Sequence, residues 1–209
     1  MAYNLPSQSV IWINVTKKKI FEKWDLNYKT REEFSKYIQK IVWEYKVDKD
    51  SVWIPKWEKI EGIALFKIIL KEKEVPDKIL WIIDKLIPYP ILYECESWKN
   101  RRYIIKHEKE YLKSEWNQEI NFDFNGINLD KVYQKIILKF ILKNDDERDD
   151  DFVDIIDWHR EISNLEKEIE KLESKVKNEI QFNRKVELNR QLQAKKKELK
   201  ELLSRNSDK

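Results

Sequence analysis

The sequence predicts an α+β fold, in which a small antiparallel or mixed sheet with flanking helices precedes a C-terminal helical coiled coil. Residues 60–71 carry apolar side chains at both odd and even positions, which is typical of a central strand covered on both faces. Segments with helical spacing alternate with further strand-like runs on either side of it. From Trp158 onward, apolar residues recur in steps of four and three, which places them on one seam of a helix.

Length and composition exclude several classes of protein. A chain of 209 residues has room for one ordinary domain plus an appendage, and its net charge of +3 is not that of a strongly basic nucleic-acid binder. Two glycines exclude a glycine-rich phosphate loop, and a single cysteine excludes an intrachain disulfide and a cysteine zinc cluster. Since charges interrupt every apolar run and no signal-peptide pattern opens the chain, we expect a cytoplasmic protein without a cofactor or a membrane span.

The first part of the chain predicts two short strands and one helix. Val10 to Val15 is a short apolar run that fits a strand or an N-terminal anchor. Thr30 and Glu33 form a capping box, after which apolar residues keep helical spacing through about Lys46. Residues 52–54 predict a second short strand.

The middle of the chain predicts a strand, a helix and a hairpin in that order. The strand at 60–71 is followed by Pro76, which suits the first turn of a helix. Residues 91–96 and 102–107 then predict two antiparallel strands joined by a turn at Lys99-Asn100.

The last elements of the domain lead into a run of acidic residues at 145–151. Residues 116–124 predict an edge strand, and apolar spacing from Leu129 to Ile141 predicts a helix. Like charges in the acidic run repel one another, which predicts a solvated linker. We therefore divide the chain into an α+β domain at 1–143, a linker at 144–153 and a coiled-coil arm at 154–205.

The arm carries two apolar seams whose phases differ. They consist of Trp158, Ile162, Leu165, Ile169, Leu172 and Val176, and then of Leu188, Leu192 and Leu199. One continuous helix with a local stutter would explain the change of phase, and so would a turn near residues 178–183. We favour the hairpin because it buries both seams without a partner. The same seam residues are the candidates for binding a protein partner or a second copy of the chain.

Basic residues are concentrated at the end of the arm. The candidates for contact with phosphates are Arg184, Lys185, Arg190, Lys195, Lys196 and Lys197. Carboxylates are interleaved with them, as is typical of the charged outer face of a coiled coil. The sequence leaves open whether these residues bind DNA or only keep the arm solvated.

Candidate catalytic residues are few. Metal-dependent nucleases place carboxylates and a lysine on neighbouring strands, and the residues that could play this part are Glu61, Lys67, Lys71, Glu94 and Glu96. They lack the Glu-x-Lys spacing of that class, so solvated charges at strand edges are the favoured interpretation. The acidic run at 145–151 lacks the ligand spacing of a calcium loop. His107, His159 and Cys95 have no plausible catalytic partner, and we expect them to be structural.

Three segments together resemble a known family. They are Lys17–Lys46, Ile82–Leu92 and Glu179–Asn189, the second of which reads Ile-Ile-Asp-Lys-Leu-Ile-Pro-Tyr-Pro-Ile-Leu. They are similar to an uncharacterised prokaryotic family of domains of unknown function. Genes of that family commonly lie beside helicases and DNA methyltransferases in restriction-like and phage-defence operons. The resemblance implies an accessory subunit of a defence complex acting on DNA, and it supplies no catalytic residues.

These observations together predict a non-enzymatic adaptor. Its coiled-coil arm would bind a helicase, a nuclease or a methyltransferase of the same operon. Two alternatives remain open: a metal-dependent nuclease subunit, and a DNA-binding module that uses the basic end of the arm.

Overall fold

The computed structural model shows an α+β chain with a six-stranded mixed sheet, flanking helices and two C-terminal helices that pack as a hairpin. The predicted fold class is confirmed, and so is the choice of a hairpin over one long helix. The structure describes residues 3, 5–52, 54, 60–142 and 151–204. The chain divides into two compact units, Met1–Asp146 and Glu147–Lys209.

The elements of the first unit follow one another as strands with intervening helices. The strands are β1 (Val10–Asn14), β2 (Ile38–Asp48), β3 (Gly62–Leu70), β4 (Ile91–Ser97), β5 (Asn100–His107) and β6 (Glu110–Lys113). The helices are α1 (Lys17–Lys23), α2 (Tyr28–Tyr37), α3 (Lys49–Val52), α4 (Asp77–Asp84) and α5 (Leu129–Ile141). The second unit contains α6 (Phe152–Asn178) and α7 (Phe182–Ser204).

The strands lie in the sheet in chain order, and every neighbouring pair is antiparallel except β3 and β4. This parallel pair requires a crossover, which contains α4. Along β3, Ala64, Phe66 and Ile68 belong to the main apolar core together with residues of α1, α2 and α4. Ile63 and Leu65 are buried on the opposite face. The prediction of a central strand covered on both faces is therefore confirmed.

The helix predicted through Lys46 is wrong in its second half. Helix α2 ends at Tyr37, and β2 begins at the next residue and pairs with β3 over its whole length. Its β-branched residues suit a strand as well as a helix face, and pairing with β3 decides between them. The cap also differs, because the side chain of Asn27 accepts a hydrogen bond from the Thr30 amide at 2.9 Å.

Two other predicted strands are also corrected. The described chain contains no strand at 116–124, where Phe122 and Phe124 instead join a cluster of aromatic rings, and the sixth strand is β6. Val52 ends the helical turn α3, and residue 53 lies outside the described residues. The helix after Pro76, the β4–β5 hairpin and the helix from Leu129 to Ile141 are confirmed.

The turn between the two helices of the arm lies between the two apolar seams, where their spacing changes phase. Helix α6 ends at Asn178 and α7 begins at Phe182, within the predicted turn. Most of the predicted acidic linker, residues 144–150, lies outside the described residues. In the described ranges, no helix combines the length and the apolar character needed to cross a bilayer.

Candidate functional site

Four charged side chains meet on the sheet face opposite the main core. We call Glu44 of β2, Lys67 of β3, and Glu94 and Glu96 of β4 the acid cluster. Because β3 and β4 are parallel, Lys67 lies directly beside Glu94 in the register. The Nζ atom of Lys67 is 3.7 Å from Oε1 of Glu94 and 2.5 Å from Oε1 of Glu96. Burial by itself lowers the pKa of Lys67, but hydrogen bonding and charge attraction from Glu96 outweigh it, so the pKa is raised.

A β-bulge positions the first carboxylate of the cluster. The β2–β3 register shifts between Trp43 and Tyr45, which leaves Glu44 without a residue opposite it. Glu44 is only 7% exposed. Burial and the nearby Glu94 raise the pKa of its carboxyl, while Lys67 lowers it. Among the described residues, the Glu44 carboxylate has neither a hydrogen-bond donor nor a direct ion-pair partner, and its oxygens reach the solvent.

Aromatic rings enclose one side of the acid cluster. The hydroxyl of Tyr3 donates a hydrogen bond of 2.9 Å to Oε2 of Glu94. The ring of Tyr103 packs edge-on against Phe122 at 4.9 Å, and Phe122 contacts Phe140 of α5. The hydroxyl of Tyr103 is buried without a hydrogen-bond partner. Burial is the main cause of the raised pKa of both tyrosines, and Glu94 adds to it.

The acid cluster differs from the site predicted for a nuclease. The structure brings together Lys67, Glu94 and Glu96, as that hypothesis requires. However, Glu61 precedes β3 and lies about six strand positions, roughly 20 Å, from Lys67. Lys71 follows the other end of β3. No three His, Cys, Asp or Glu side chains in the described ranges are placed to hold a metal ion.

The sequence analysis missed Glu44. It assigned that residue to a helix, and only the register of β2 against β3 brings it to Lys67. The signal that could have revealed it is a lone carboxylate within the apolar run from residue 38 to residue 47.

The remaining candidates for catalysis have structural surroundings. Cys95 is fully buried in the main core, which raises the pKa of its thiol to about 12. Nδ1 of His107 lies 3.2 Å from the Tyr133 hydroxyl, which itself donates to the Lys106 carbonyl. His159 is half-buried on α6. The core position expected for Cys95 is confirmed.

The arm packs its two helices along the predicted seam. Its buried members are Ile162, Leu165, Ile169 and Leu192, and its half-buried members are Trp158, Leu172, Val176, Leu188 and Leu199. The indole Nε1 of Trp158 donates to the Leu202 carbonyl across the helix pair at 3.4 Å. Leu172 and Ala194 also line a groove of about 470 Å³ on the arm. Whether any of these residues binds a partner stays a prediction.

The turn between the two helices exposes apolar side chains. Ile180 is 94% exposed, Phe182 is 77% exposed and Val186 is 52% exposed. We call these three residues the arm tip. The sequence pattern does not reveal the arm tip, because its residues lie at a turn and have no regular spacing.

The six basic residues predicted as candidates for phosphate contact all have polar partners within the arm. Arg184, Arg190, Lys195, Lys196 and Lys197 form ion pairs with glutamates, and Lys185 donates to the Glu179 carbonyl. The pairs Lys195–Glu168 and Lys196–Glu173, at 3.1 Å and 2.7 Å, connect α7 to α6. These cations therefore help to join the two helices. A nucleic-acid contact stays a prediction.

Residues 3–199 match the model of DUF4391, a domain of unknown function, and the chain belongs to that family. No curated protein matches the chain significantly, and no solved structure does either. The family description names no activity, so any function has to be argued from the geometry.

Proposed function

We propose that this protein is a non-enzymatic accessory subunit of a prokaryotic anti-phage or restriction-like defence complex. Its arm would bind a helicase, a nuclease or a methyltransferase of the same complex. The observation that carries the proposal is the arm tip, where three large apolar side chains lie within seven residues and are more than half exposed. Apolar groups gathered at one end of a charged hairpin are typical of a binding surface.

The arm tip also indicates the chemistry of the partner. Phe182 offers an aromatic ring that could enter a pocket, and buried aromatic anchors dominate the energy of many interfaces. Lys177, Arg184 and Lys185 lie close to the tip in the sequence, but so do Glu179 and Glu187, and Glu179 pairs with Arg184. We therefore expect an apolar pocket on the partner protein.

The defence context rests on a different kind of support. The resemblance of three sequence segments to a family encoded beside helicases and DNA methyltransferases supports it by association only. The geometry of the arm supports binding to a protein, and it does not distinguish among these partners.

A double substitution at the arm tip tests the proposal. In Ile180→Ser/Phe182→Ser, we expect affinity for the partner to fall by about tenfold or more, because truncation of anchor residues commonly costs at least 2 kcal/mol. Helicity should be unchanged, since both side chains face solvent. The measurements are calorimetric titration of the purified chain with each co-encoded protein, and far-ultraviolet circular dichroism.

Two further variants show whether the loss is specific. Val153→Ser removes another exposed apolar side chain of the arm and should bind normally. Leu165→Asp/Leu172→Asp places charges in the seam and should lose both helicity and binding. If the tip variant bound every co-encoded protein as well as the unmodified chain does, the proposal would be wrong.

A metal-dependent nuclease subunit is a second candidate, favoured by the meeting of Lys67 with Glu94 and Glu96. Cleavage of DNA that needs magnesium and disappears in Lys67→Met would support this candidate. The matched control is Lys40→Met, which changes an exposed lysine of β2. Equal cleavage by the Lys67→Met protein would reject it.

A further inference from the structure

We propose that a groove on the arm binds an acidic amphipathic helix of a partner protein. The groove has a volume of about 470 Å³ and is lined by residues of both helices of the arm. We call it the arm groove, and its lining includes Lys171, Leu172 and Lys175 of α6, and Ala194 and Lys195 of α7. The inference rests on the proposed function, because it gives the same arm a second contact with a protein partner.

The arm groove lies where a lysine interrupts the apolar seam of α7. A step of three residues from Leu192 and a step of four residues to Leu199 place Lys195 on the seam. Nζ of Lys195 turns to two glutamate carboxylates, one on each helix, and lies 3.1 Å from both. The methyl group of Ala194 does not fill the remaining space, and Leu172 of α6 stays half-buried. The groove therefore has a mostly apolar floor.

Two lysines of α6 bring uncompensated positive charge to the arm groove. Among the described residues, the ammonium groups of Lys171 and Lys175 have neither an ion pair nor a hydrogen bond. The two residues are four positions apart on α6, so their like charges repel one another along one face of the helix. The candidate basic residues of α7, by contrast, all have polar partners within the arm.

The carboxylates that would neutralise these two lysines are bound to other groups. Glu168 and Glu179 are the only carboxylates that lie three or four residues from Lys171 or Lys175. Glu168 pairs with a lysine of α7 at 3.1 Å. Glu179 accepts hydrogen bonds from two backbone amides of the turn, and its Oε2 lies 3.5 Å from Nε of Arg184. The charge at the groove is therefore left for carboxylates from outside the chain.

A third helix fits both the shape and the charge of the arm groove. Laid along the two helices of the arm, it would pack its apolar stripe against Leu172 and form a three-helix bundle. Carboxylates that flank this stripe would lie beside Lys171 and Lys175, as charges at the e and g positions do in coiled coils. The volume of the groove is within the range of about 300–1,000 Å³ that is usual for binding pockets.

A second copy of the chain fits the arm groove less well. A symmetric dimer places the same patch on both copies, so Lys171 and Lys175 would lie close to the lysines of the other groove. Of the residues that line the groove, only Glu168 has a carboxylate, and that group is paired with Lys195. The charges thus favour a different protein that supplies the carboxylates.

Calorimetric titration of the full chain with two synthetic helical peptides tests the arm groove. Both peptides have three heptads with Leu at the a and d positions, and they carry either Glu or Lys at the e and g positions. We expect the glutamate peptide to bind saturably and the lysine peptide not to bind. Binding of the glutamate peptide should weaken as salt is added, because the ammonium groups at the groove are exposed.

Two variants change the arm groove without altering the apolar seam. Lys171→Gln/Lys175→Gln removes both unpaired charges and should weaken binding of the glutamate peptide by about three- to tenfold. Ala194→Phe fills the groove from an exposed position and should weaken binding by about tenfold or more. The matched control, Lys177→Gln/Lys200→Gln, changes two exposed lysines outside the groove and should keep the affinity. Far-ultraviolet circular dichroism checks that each variant is as helical as the unmodified chain.

The tip variant Ile180→Ser/Phe182→Ser separates this inference from the proposed function. It should bind the glutamate peptide with unchanged affinity, since neither residue lines the arm groove. If the unmodified chain did not bind this peptide, or if folded Lys171→Gln/Lys175→Gln and Ala194→Phe bound it equally well, the inference would be wrong, whatever the tip variant does with the co-encoded proteins. A dimer of the free chain that Ala194→Phe dissociates, measured by light scattering, would assign the groove to a second copy and overturn the inference too.

Discussion

The sheet domain and the C-terminal hairpin are stabilised in different ways. The core of the domain contains residues from four strands and three helices, most of them fully buried. The seam of the hairpin is a single row in which Ile162, Leu165, Ile169 and Leu192 remain 5–9% exposed. A pair of helices has only one contact surface, so its packing is supplemented by many weak ion pairs.

This difference explains where each unit can carry a functional feature. A large core offsets the cost of holding Glu44 only 7% exposed, because apolar burial contributes roughly 25 cal/mol per Å² over the whole domain. The hairpin has no such reserve, and three of its exposed apolar side chains lie together in the sequence at the tip.

The largest effect should come from breaking the core of the domain. Phe66 is 1% exposed and contacts the rings of Trp43 and Tyr93. We expect Phe66→Ala to lower the free energy of unfolding of the domain by about 3–5 kcal/mol, as large-to-small changes in cores do. Urea titration followed by near-ultraviolet circular dichroism measures it.

A matched aromatic residue provides the control for Phe66. Trp98 is 91% exposed at the turn between β4 and β5, so Trp98→Ala should change the stability by no more than about 0.5 kcal/mol. Similar losses in the two variants would show that the core of the domain is not packed around Phe66.

An intermediate effect is expected from neutralising the carboxylate of Glu44 in the domain. The folded chain raises the pKa of Glu44 above its ordinary 4.5, so the folded state binds the proton more tightly than the unfolded state. The stabilisation from that proton is complete below pH 4.5 and is lost as the pH rises through the folded pKa. Glu44→Gln lacks this pH-dependent loss of stability. It should be more stable than the unmodified chain at pH 7 by no more than about 1 kcal/mol, because solvent screens the carboxylate.

Thermal unfolding between pH 4 and pH 8 checks this sign. The two proteins should have similar midpoints of thermal unfolding near pH 4. As the pH rises, the midpoint of the variant should become the higher of the two. If Glu44→Gln were less stable at pH 7, the folded chain would favour the charged carboxylate, and the expected sign would be wrong. Glu119→Gln, at an exposed position, should follow the unmodified chain at every pH.

The sequence predicts elements well where one periodicity dominates. Strand β3 and helix α5 each follow one periodicity, and both predictions match the observed elements. The change of seam phase between Val176 and Leu188 fits a stutter as well as a turn, and the favoured hairpin is the structure observed. Residues 38–47 fit two periodicities, since Ile41 and Val42 are both buried and the bulge at Glu44 breaks the alternation of a strand. Pairing with β3 resolves the ambiguity, and single-sequence spacing does not contain that information.

The acid cluster could be predicted only in part for the same reason. Glu94 and Glu96 are recognisable as charges on a buried strand, and Lys67 as a charge on its neighbour. Glu44 and Tyr103 join them through the registers of two other strand pairs. The arm tip has no periodic signal at all, because a turn lacks a repeating pattern.

The smallest effect should come from the ion pairs that join the helices of the arm. Lys196 and Glu173 are about half exposed and 2.7 Å apart. We expect a coupling energy of about 0.2–1 kcal/mol in a double-mutant cycle of Lys196→Gln and Glu173→Gln, decreasing as salt is added. The pair of Lys197 and Glu201 within α7, at 3.6 Å, serves as the comparison and should give about 0.3–0.5 kcal/mol. A coupling of several kcal/mol between the helices would mean that charge, rather than the seam, holds the arm together.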